Sequence, residues 1–326
     1  MLAAFYERHG SARDVLRVEE VPTPDAGPGE VRVRLATSGV NPSDVKTRAG
    51  GRALIGPRVI PHSDGAGVID QVGAGVDEAR LGERVWVWNG QWKRAFGTAA
   101  QFIALPSAQA VKLPEGVDEA AGACLGIPAL TAWQAVRLAH IEPGRTLLVA
   151  GGAGAVGHYA VQIAKARGGR VIATVSSAAK AAHAIAAGAD ATIDRKTEDV
   201  AARVMALTNG VGVDAVAEVD LSVNASLLPG TLRAHGTCVV YGTGAGPFVI
   251  PSPAMLVGNT ALLFMIVYEL SAEDRLSGLA GVKALMETGY LQHAVGRRLP
   301  LSAVVQAHEL VEQAAVLGNV VLDIPQ

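Results

Sequence analysis

The chain of 326 residues has few cysteines, few aromatic side chains and almost no net charge. Its two cysteines, Cys124 and Cys238, both lie in apolar surroundings. Two cysteines cannot form the disulfide framework of a small secreted protein, so we expect both to be buried, inert thiols in a reducing compartment. With a net charge of −2, nothing in the composition points to a dedicated nucleic-acid binder, which is typically strongly basic.

Long apolar runs are also missing. The longest strongly apolar stretch, residues 261–267, is far too short to cross a bilayer. The N-terminus carries charge early and has no long apolar segment, so it does not look like a signal peptide. These absences predict a soluble, cytoplasmic protein with no membrane partner.

Hydrophobic residues, by contrast, make up 50% of the chain, which suffices for large cores, and the length predicts two domains. Residues 1 to about 110 contain dense short strands, such as the alternating stretch 31–35, and predict a β-barrel-like domain. Residues 120–139 predict a helix that is interrupted at Pro128 and forms the crossover to the next domain.

From residue 145 onward, strands and helices alternate. This alternation predicts a doubly wound parallel sheet, with a possible sixth strand at 261–267. Helices near 271–289 and 303–313 and a strand at 320–322 follow, and the strand is expected to return to the first domain. The predicted strands are 145–150, 170–175, 191–193, 213–219 and 236–242, and the predicted helices are 155–168, 178–187, 197–208 and 222–233.

A glycine cluster joins the first of these strands to the first of these helices. Its spacing, Gly152-x-Gly154-x-x-Gly157, fits the dinucleotide fingerprint, and a strand–turn–helix–strand context surrounds it. One glycine allows a positive φ, one lets backbone N–H groups approach a pyrophosphate, and the last lets the helix pack on the strand. The predicted phosphate-contacting residues are Gly151, Gly152, Gly154, Ala155, Val156 and Gly157.

The end of the second parallel strand indicates which nucleotide binds. NAD sites usually carry an Asp or Glu there to hold the ribose 2′-hydroxyl, but this chain has Ser176 and Ser177. Lys180 and Arg195 follow, and hydroxyls with cations would accept a 2′-phosphate. The pattern predicts NADPH; the alternative is that Lys180 and Arg195 are solvated surface charges.

Five motifs follow one another in the order and at the intervals of one protein family. Together they resemble the medium-chain dehydrogenase/reductase superfamily over nearly the whole chain, and within it the zinc-free quinone oxidoreductases of the ζ-crystallin branch. The motifs are GVNPSD at 39–44, PHSDGAGV at 61–68, GIPALTA at 126–132, the glycine turn at 151–157 and GAD at 188–190.

The resemblance implies an α/β protein with a Rossmann domain and a GroES-like β-barrel-type catalytic domain. The catalytic domain would cover 1–122 and be completed by 268–326, and the Rossmann NADPH-binding domain would cover 123–267. The family also implies an active site in the cleft between the domains and a homodimer or homotetramer. The apolar run 261–267 could supply the sheet edge at which subunits join.

The zinc-dependent branch of the family is the competing interpretation. Two cysteines cannot build the lobe that holds its structural zinc. By the resemblance, Asn41 stands where alcohol dehydrogenases have a Cys ligand and Ser63 where they have a His ligand. His62 and Asp64 could suggest a metal, but we expect His62 to be a turn residue and Asp64 to be a buried carboxylate that is hydrogen-bonded to the backbone. No bound metal is expected.

The resemblance also implies roles for individual side chains. Asn41 would be a polar group beside the nicotinamide, or would cap the turn before Pro42. Thr131 matches a cofactor-contacting threonine, or would be a helix N-cap. The remaining positions implied to contact the cofactor are Val219, Gly242, Thr243 and Asn319, the last standing where the family often has Lys.

Three further side chains are candidates for the substrate pocket. Residues 44–53 contain no tyrosine, which many related reductases carry there, so Lys46 could be the proton donor, or it could be solvated. Trp92 and Phe96 lie in a segment rich in aromatic residues and could form flat walls for a planar substrate.

The expected activity is therefore NADPH-dependent, zinc-independent reduction of quinones by hydride transfer. Without a metal, delivery to an electrophilic conjugated carbonyl is easier than alcohol oxidation. Reduction of α,β-unsaturated ketones or aldehydes is an alternative. A non-enzymatic, RNA-binding ζ-crystallin-like protein is a second alternative, which the balanced charge disfavours.

Overall fold

The computed structural model describes residues 1–244 and 246–326, and it divides the chain into two units. The first unit comprises 1–127 and 293–326, and the second comprises 128–292. In residues 1–127 the elements are β1 (Leu2–Phe5), α1 (Ala12–Val15), β2 (Arg17–Glu20), β3 (Glu30–Val40), α2 (Pro42–Lys46), β4 (Asp64–Val72), β5 (Arg84–Val87), β6 (Phe102–Pro106), β7 (Ala110–Lys112) and α3 (Glu119–Gly122).

The second unit alternates strands and helices as the sequence predicts. Its elements are α4 (Leu130–Leu138), β8 (Thr146–Val149), α5 (Ala155–Ala166), β9 (Arg170–Val175), α6 (Ala178–Ala186), β10 (Ala191–Asp194), α7 (Val200–Leu207), β11 (Val213–Glu218), α8 (Leu221–Asn224), α9 (Leu228–Thr231), β12 (Leu232–Val240), α10 (Ser252–Val257), β13 (Ala261–Phe264) and α11 (Ala272–Glu287).

All strands of the second unit form one parallel sheet in the order β10-β9-β8-β11-β12-β13. The order turns back on either side of β8, as in a doubly wound Rossmann sheet, which confirms the predicted fold class. The carboxyl end of β8 lies at this switch point, and ligands of such sheets bind at that edge.

The first unit is built around a sheet of mostly antiparallel strands. Its tail supplies β14 (Val295–Pro300), α12 (Val304–Glu312) and β15 (Asn319–Asp323), and the order is β14-β15-β3-β4-β5-β7, with β6 also paired to β3. β15 pairs with β3, so the tail returns to the first unit as predicted. Its core includes fully buried Val31, Val33 and Leu35 on alternate positions of β3.

Two sequence-based expectations differ from this structure. The predicted helix at 222–233 is instead two short helices, α8 and α9, because Pro229 and Gly230 do not favour a continuous helix and Leu232 begins β12. The predicted second boundary at 267/268 differs from the structural one at 292/293. The reason is that α11 packs on α4, where Gln134 Nε2 donates to Asp274 Oδ2 at 3.0 Å and Trp133 Nε1 donates to Ser277 Oγ at 3.3 Å.

Candidate functional site

The glycine turn connects β8 to α5. Gly151 has a φ of +69°, and its N–H donates to Thr174 Oγ1 at 3.0 Å. The N–H of Gly154 donates to Gly151 O at 2.9 Å and closes the turn. Gly154 is the N-cap of α5, so Ala155 and Val156 occupy the first helical turn, where backbone N–H groups have no partner within the helix.

The three glycines of the fingerprint differ in what an added side chain would meet. A Cβ on Gly157 would lie 2.2 Å from Gly151 O, and one on Gly152 would lie 2.5 Å from Ala173 Cβ, so close packing requires both. A Cβ on Gly154 would meet only Gly151 O, at 3.3 Å. Packing is therefore less restrictive at Gly154 than at Gly152 and Gly157, and Gly154 stands at the helix N-terminus, where anions such as a pyrophosphate are commonly bound.

Three of the predicted ribose-phosphate residues meet at the end of β9. Lys180 Nζ donates to Ser176 Oγ at 3.2 Å, and the backbone N–H of Arg195 donates to Val175 O at 3.0 Å. Ser177 instead caps α6, with its Oγ accepting from the Lys180 N–H at 3.3 Å. Ser176 and Lys180 thus place a hydroxyl and a cation at the end of the strand, with the backbone of Arg195 beside them, and such groups suit a phosphate.

The predicted nicotinamide-flanking residues follow the central strands of the same sheet. Val219 comes directly after β11 and is 43% exposed, and Gly242 and Thr243 come after β12. A Cβ on Gly242 would lie 2.1 Å from Val219 O, so these two loops touch. Thr131 is buried in the first turn of α4, whose N-cap is Ala129, so Thr131 is not the cap.

One residue at this edge does not emerge from the sequence patterns. Glu218 ends β11 and is 1% exposed, and its Oε1 accepts from the Asp220 N–H at 2.6 Å and from Asn224 Nδ2 at 2.9 Å. Burial raises the pKa of this carboxyl. With Arg195 it lines a small cavity of about 30 Å³. A carboxylate directly after the apolar run 215–217 is the signal that could have found it.

In the first unit, Asn41 begins α2 and takes part in a capping box. Its side chain accepts from the Asp44 N–H, while its own N–H donates to Asp44 Oδ2 at 2.8 Å. Its Nδ2 donates to Asp64 Oδ2 at 2.8 Å. The capping interpretation of Asn41 is therefore confirmed, and its side chain is hydrogen-bonded to both Asp44 and Asp64, so the orientation of the amide is fixed.

The two carboxyl groups that hold Asn41 are both fully shielded from water. Burial raises the pKa of Asp44 to about 7 and raises the pKa of Asp64 well above its usual range. Asp64 is the buried carboxylate that the sequence predicts, and it is hydrogen-bonded both to the backbone of Ile127 and to the Asn41 side chain.

Replacement of Asp44 by Asn should change how stability depends on pH. In the folded state the pKa of Asp44 is about 7, above the ordinary unfolded value, so its contribution is complete in acid and is lost as the pH rises towards 7. A tenfold change in the protonation equilibrium corresponds to about 1.4 kcal/mol. Between pH 5 and 8 the free energy of unfolding of Asp44→Asn should gain roughly 2 kcal/mol relative to the parent.

Urea unfolding at pH 5, 6.5 and 8 measures this difference. The exposed Asp25 supplies the control, since Asp25→Asn should keep the parent's pH profile. Parallel profiles for Asp44→Asn and the parent would show that Asp44 is already ionised in the folded protein.

A buried chain of hydrogen bonds runs from α12 to the start of β4. Thr98 Oγ1 donates to the Asp64 carbonyl at 2.5 Å, so its neighbour Ser38 Oγ, at 2.9 Å, must donate to Thr98. His62 Nδ1 then donates to Ser38 Oγ, and His308 Nε2 donates to His62 Nε2, each at 2.9 Å. Burial lowers the pKa of His62 to about 3 and lowers the pKa of His308 as well, so both rings are neutral.

This hydrogen-bond chain corrects one expectation and explains a backbone feature. His62 is not the simple turn residue that the sequence predicts; it has a φ of +77° but is fully buried. Its two ring bonds account for its position, and its partner His308 is 246 residues away in the sequence. No local pattern could have predicted this pair.

Four other predicted residues of the first unit lie outside this cluster. Lys46 is exposed in the last turn of α2, and Asn319 is buried, with its Nδ2 donating to Ala294 O at 3.1 Å. Trp92 is half-buried and carries the Arg52 guanidinium 4.2 Å from its ring centroid. Phe96 is 53% exposed and lies on the wall of a separate cavity.

Both cysteines are buried and unpaired within the described part of the chain. Among residues 1–244 and 246–326, no three His, Cys, Asp or Glu side chains are grouped so that they could hold a metal ion. No helix in the same ranges has the length and apolar character needed to span a membrane.

Comparison with known proteins agrees with the geometry of both units. Residues 27–115 match the alcohol dehydrogenase GroES-like domain, and residues 155–279 match the family called zinc-binding dehydrogenase. The chain is 31% identical to a 2-haloacrylate reductase of a Burkholderia species, over 100% of this chain and 99% of the relative. It is 30% identical to a quinone oxidoreductase of Pseudomonas aeruginosa, over 95% of each. A mycobacterial protein solved in complex with NADPH is 30% identical, with a TM-score of 0.88 over 99% of this chain and 100% of the other.

Proposed function

The chain belongs to the quinone oxidoreductase branch of the medium-chain dehydrogenase/reductase superfamily, and from this premise we propose that it reduces quinones with NADPH and without zinc. The preference for NADPH over NADH is supported by the side chains at the end of β9. There Ser176 and Lys180 are hydrogen-bonded to each other, and Arg195 follows the adjacent strand. A 2′-phosphate would gain charge-assisted hydrogen bonds from these groups.

NADPH, when bound, supplies the hydride, and the protein supplies binding, orientation and electrostatics. The backbone of the glycine turn would hold the pyrophosphate through Gly154, Ala155 and Val156. Thr131, Val219, Gly242 and Thr243 are proposed to contact the nicotinamide half, as the family resemblance implies. Asn319 is proposed to contact the cofactor on that resemblance alone.

Asn41 is the proposed polar group for the reacting carbonyl. Its amide is hydrogen-bonded to Asp44 and Asp64, so the direction of the amide dipole is fixed. A fixed polar group stabilises the negative charge that develops on a substrate oxygen at little cost in reorganisation. Lys46, which is exposed, is the proposed proton donor, and Trp92 is a proposed pocket wall.

The donor atoms at the positions of the zinc ligands support the zinc-independent assignment. The Asn41 side chain is already bonded to Asp44 and Asp64, and Ser63 Oγ faces the Gln91 N–H at 3.4 Å. Amide and hydroxyl groups are not the Cys, His or carboxylate ligands that zinc takes.

A second candidate function is reduction of α,β-unsaturated carbonyl compounds. It is favoured by the full-length likeness to a protein named 2-haloacrylate reductase. The same hydride donor and the same oxygen-stabilising group would serve both reactions, so only the shape of the pocket separates them.

Turnover with purified protein tests the proposal. Loss of reduced-nicotinamide absorbance should follow addition of 9,10-phenanthrenequinone or 1,4-benzoquinone to protein and NADPH, and EDTA should leave the rate unchanged. Faster turnover of a simple enone than of either quinone would favour the second candidate. Tight NADPH binding without oxidation by any acceptor would refute both.

We further propose a homodimer formed along β13. This strand is the edge of the parallel sheet, and the strand and the residues after it expose Leu263 (36%), Phe264 (60%) and Ile266 (43%). An exposed apolar edge strand is a ready template for pairing with a second copy.

Phe264→Lys should therefore convert the dimer to a monomer in light scattering after size exclusion, whereas Phe264→Leu should not. Equal masses for both variants would exclude this edge.

A further inference from the structure

A cavity of about 440 Å³ lies in the first unit. Phe96 on its wall is predicted from the sequence for the substrate pocket, whereas its other lining residues are not among those proposed above for cofactor or substrate contact. This volume falls in the range of small-molecule sites. Its wall includes Phe96, which is 53% exposed, together with Pro22, Pro24 and Pro57. Exposure of about half of an aromatic side chain to water is unfavourable, and a ligand that covers it would be stabilised by burial of that apolar surface.

The walls of this cavity are already fixed in the free protein. The N-terminal ammonium of Met1 donates to Val21 O at 2.7 Å, and the Ile60 N–H donates to Ala95 O at 2.8 Å. The prolines restrict the backbone of the two remaining segments. A ligand would therefore bind with little loss of chain entropy.

The polar side of the cavity is an ion pair. Arg58 donates from Nε and Nη2 to the same Glu7 oxygen, Oε1, at 3.2 Å and 3.0 Å, and its guanidinium lies 4.2 Å from the Phe5 ring centroid. Within the described residues no group pairs with Arg58 Nη1. Because Glu7 already balances the charge, the site favours an uncharged acceptor over an anion.

We propose that this cavity is a second ligand site, which binds a neutral aromatic carbonyl compound. The ring stacks on Phe96, where offset aromatic contacts are favourable, and the carbonyl oxygen accepts from Arg58 Nη1. Phe96, assigned from the sequence to the substrate pocket, belongs to this site instead. The inference concerns binding alone and does not rest on the proposed reduction.

Calorimetric titration of 9,10-phenanthrenequinone into the full chain without nicotinamide tests the site. Thr23 is exposed on the cavity wall, so a large side chain there fills the cavity without entering the core. Thr23→Trp should remove one class of binding, with at least a tenfold loss of affinity, while Thr23→Ala should bind like the parent. Phe96→Leu should weaken the same class several-fold.

Equal binding by Thr23→Trp and Thr23→Ala, or no saturable binding to the parent, would overturn the inference. Turnover is measured separately in the NADPH assay, where both Thr23 variants should match the parent. Thr23-sensitive binding without turnover would therefore refute the proposed function alone, and turnover without Thr23-sensitive binding would refute the second site alone.

Discussion

Ser176→Asp should reverse the coenzyme preference, with kcat/KM for NADPH falling about 100-fold and kcat/KM for NADH rising. The new carboxylate would sit at the end of β9, where Ser176 Oγ now lies 3.2 Å from Lys180 Nζ. It would repel a 2′-phosphate and would accept a hydrogen bond from a ribose 2′-hydroxyl. A hydrogen bond to a charged group is worth about 1.5–3 kcal/mol, so losing one and adding repulsion accounts for the size of the effect.

A matched pair of lysine variants separates a specific contact from general surface charge. Lys180→Ala should lower kcat/KM for NADPH about 10- to 100-fold and leave NADH unchanged. Lys196→Ala removes an exposed cation next to Arg195 and should change neither coenzyme. Steady-state kinetics with both coenzymes measure these ratios. Unchanged NADPH kinetics in both Ser176→Asp and Lys180→Ala would remove the end of β9 from the coenzyme site.

The parallel sheet could be predicted from the sequence because its signals are local. Each strand is a short apolar run and each helix has its own period, so β8, β9, β10 and β11 fall within a few residues of their predicted bounds. The glycine turn is recognisable for the same reason. Even there, the residue with the positive φ is Gly151, which precedes the fingerprint. The structural requirement for glycine at each position becomes clear only from the interatomic distances.

The first unit's polar cluster could not be predicted because its contacts span the chain. Asn41 pairs with Asp64 across 23 residues, and His62 pairs with His308 across 246. Sequence patterns indicate which side chains are buried and which kind of element they belong to. These pairs depend instead on how β3, β4 and α12 pack against one another. The second domain boundary could not be predicted for the same reason, since α11 joins the second unit through contacts with α4.

The glycine turn offers a test that separates packing from ligand contact. Gly157→Ala would place a Cβ 2.2 Å from Gly151 O and 2.9 Å from Gly152 Cα, both backbone atoms that cannot swing aside. The turn must open, which should lower the free energy of unfolding by about 1–3 kcal/mol despite the better helix propensity of alanine. NADPH affinity should fall at least 100-fold, because the phosphate-binding N–H groups move with the turn.

Gly154→Ala is the contrasting variant. Its φ of −81° and ψ of 172° suit any residue, and its Cβ would meet only Gly151 O, at 3.3 Å. Because alanine is a weaker N-cap than glycine, its free energy of unfolding should fall by up to about 1 kcal/mol, while NADPH affinity should still fall about tenfold, since the methyl group occupies the approach of the pyrophosphate. Urea unfolding gives the stability of each variant, and NADPH titration gives its affinity. Loss of affinity in strict proportion to loss of stability would show that the turn is only a packing element, whereas a loss of affinity larger than the loss of stability in Gly154→Ala would locate the phosphate beside it.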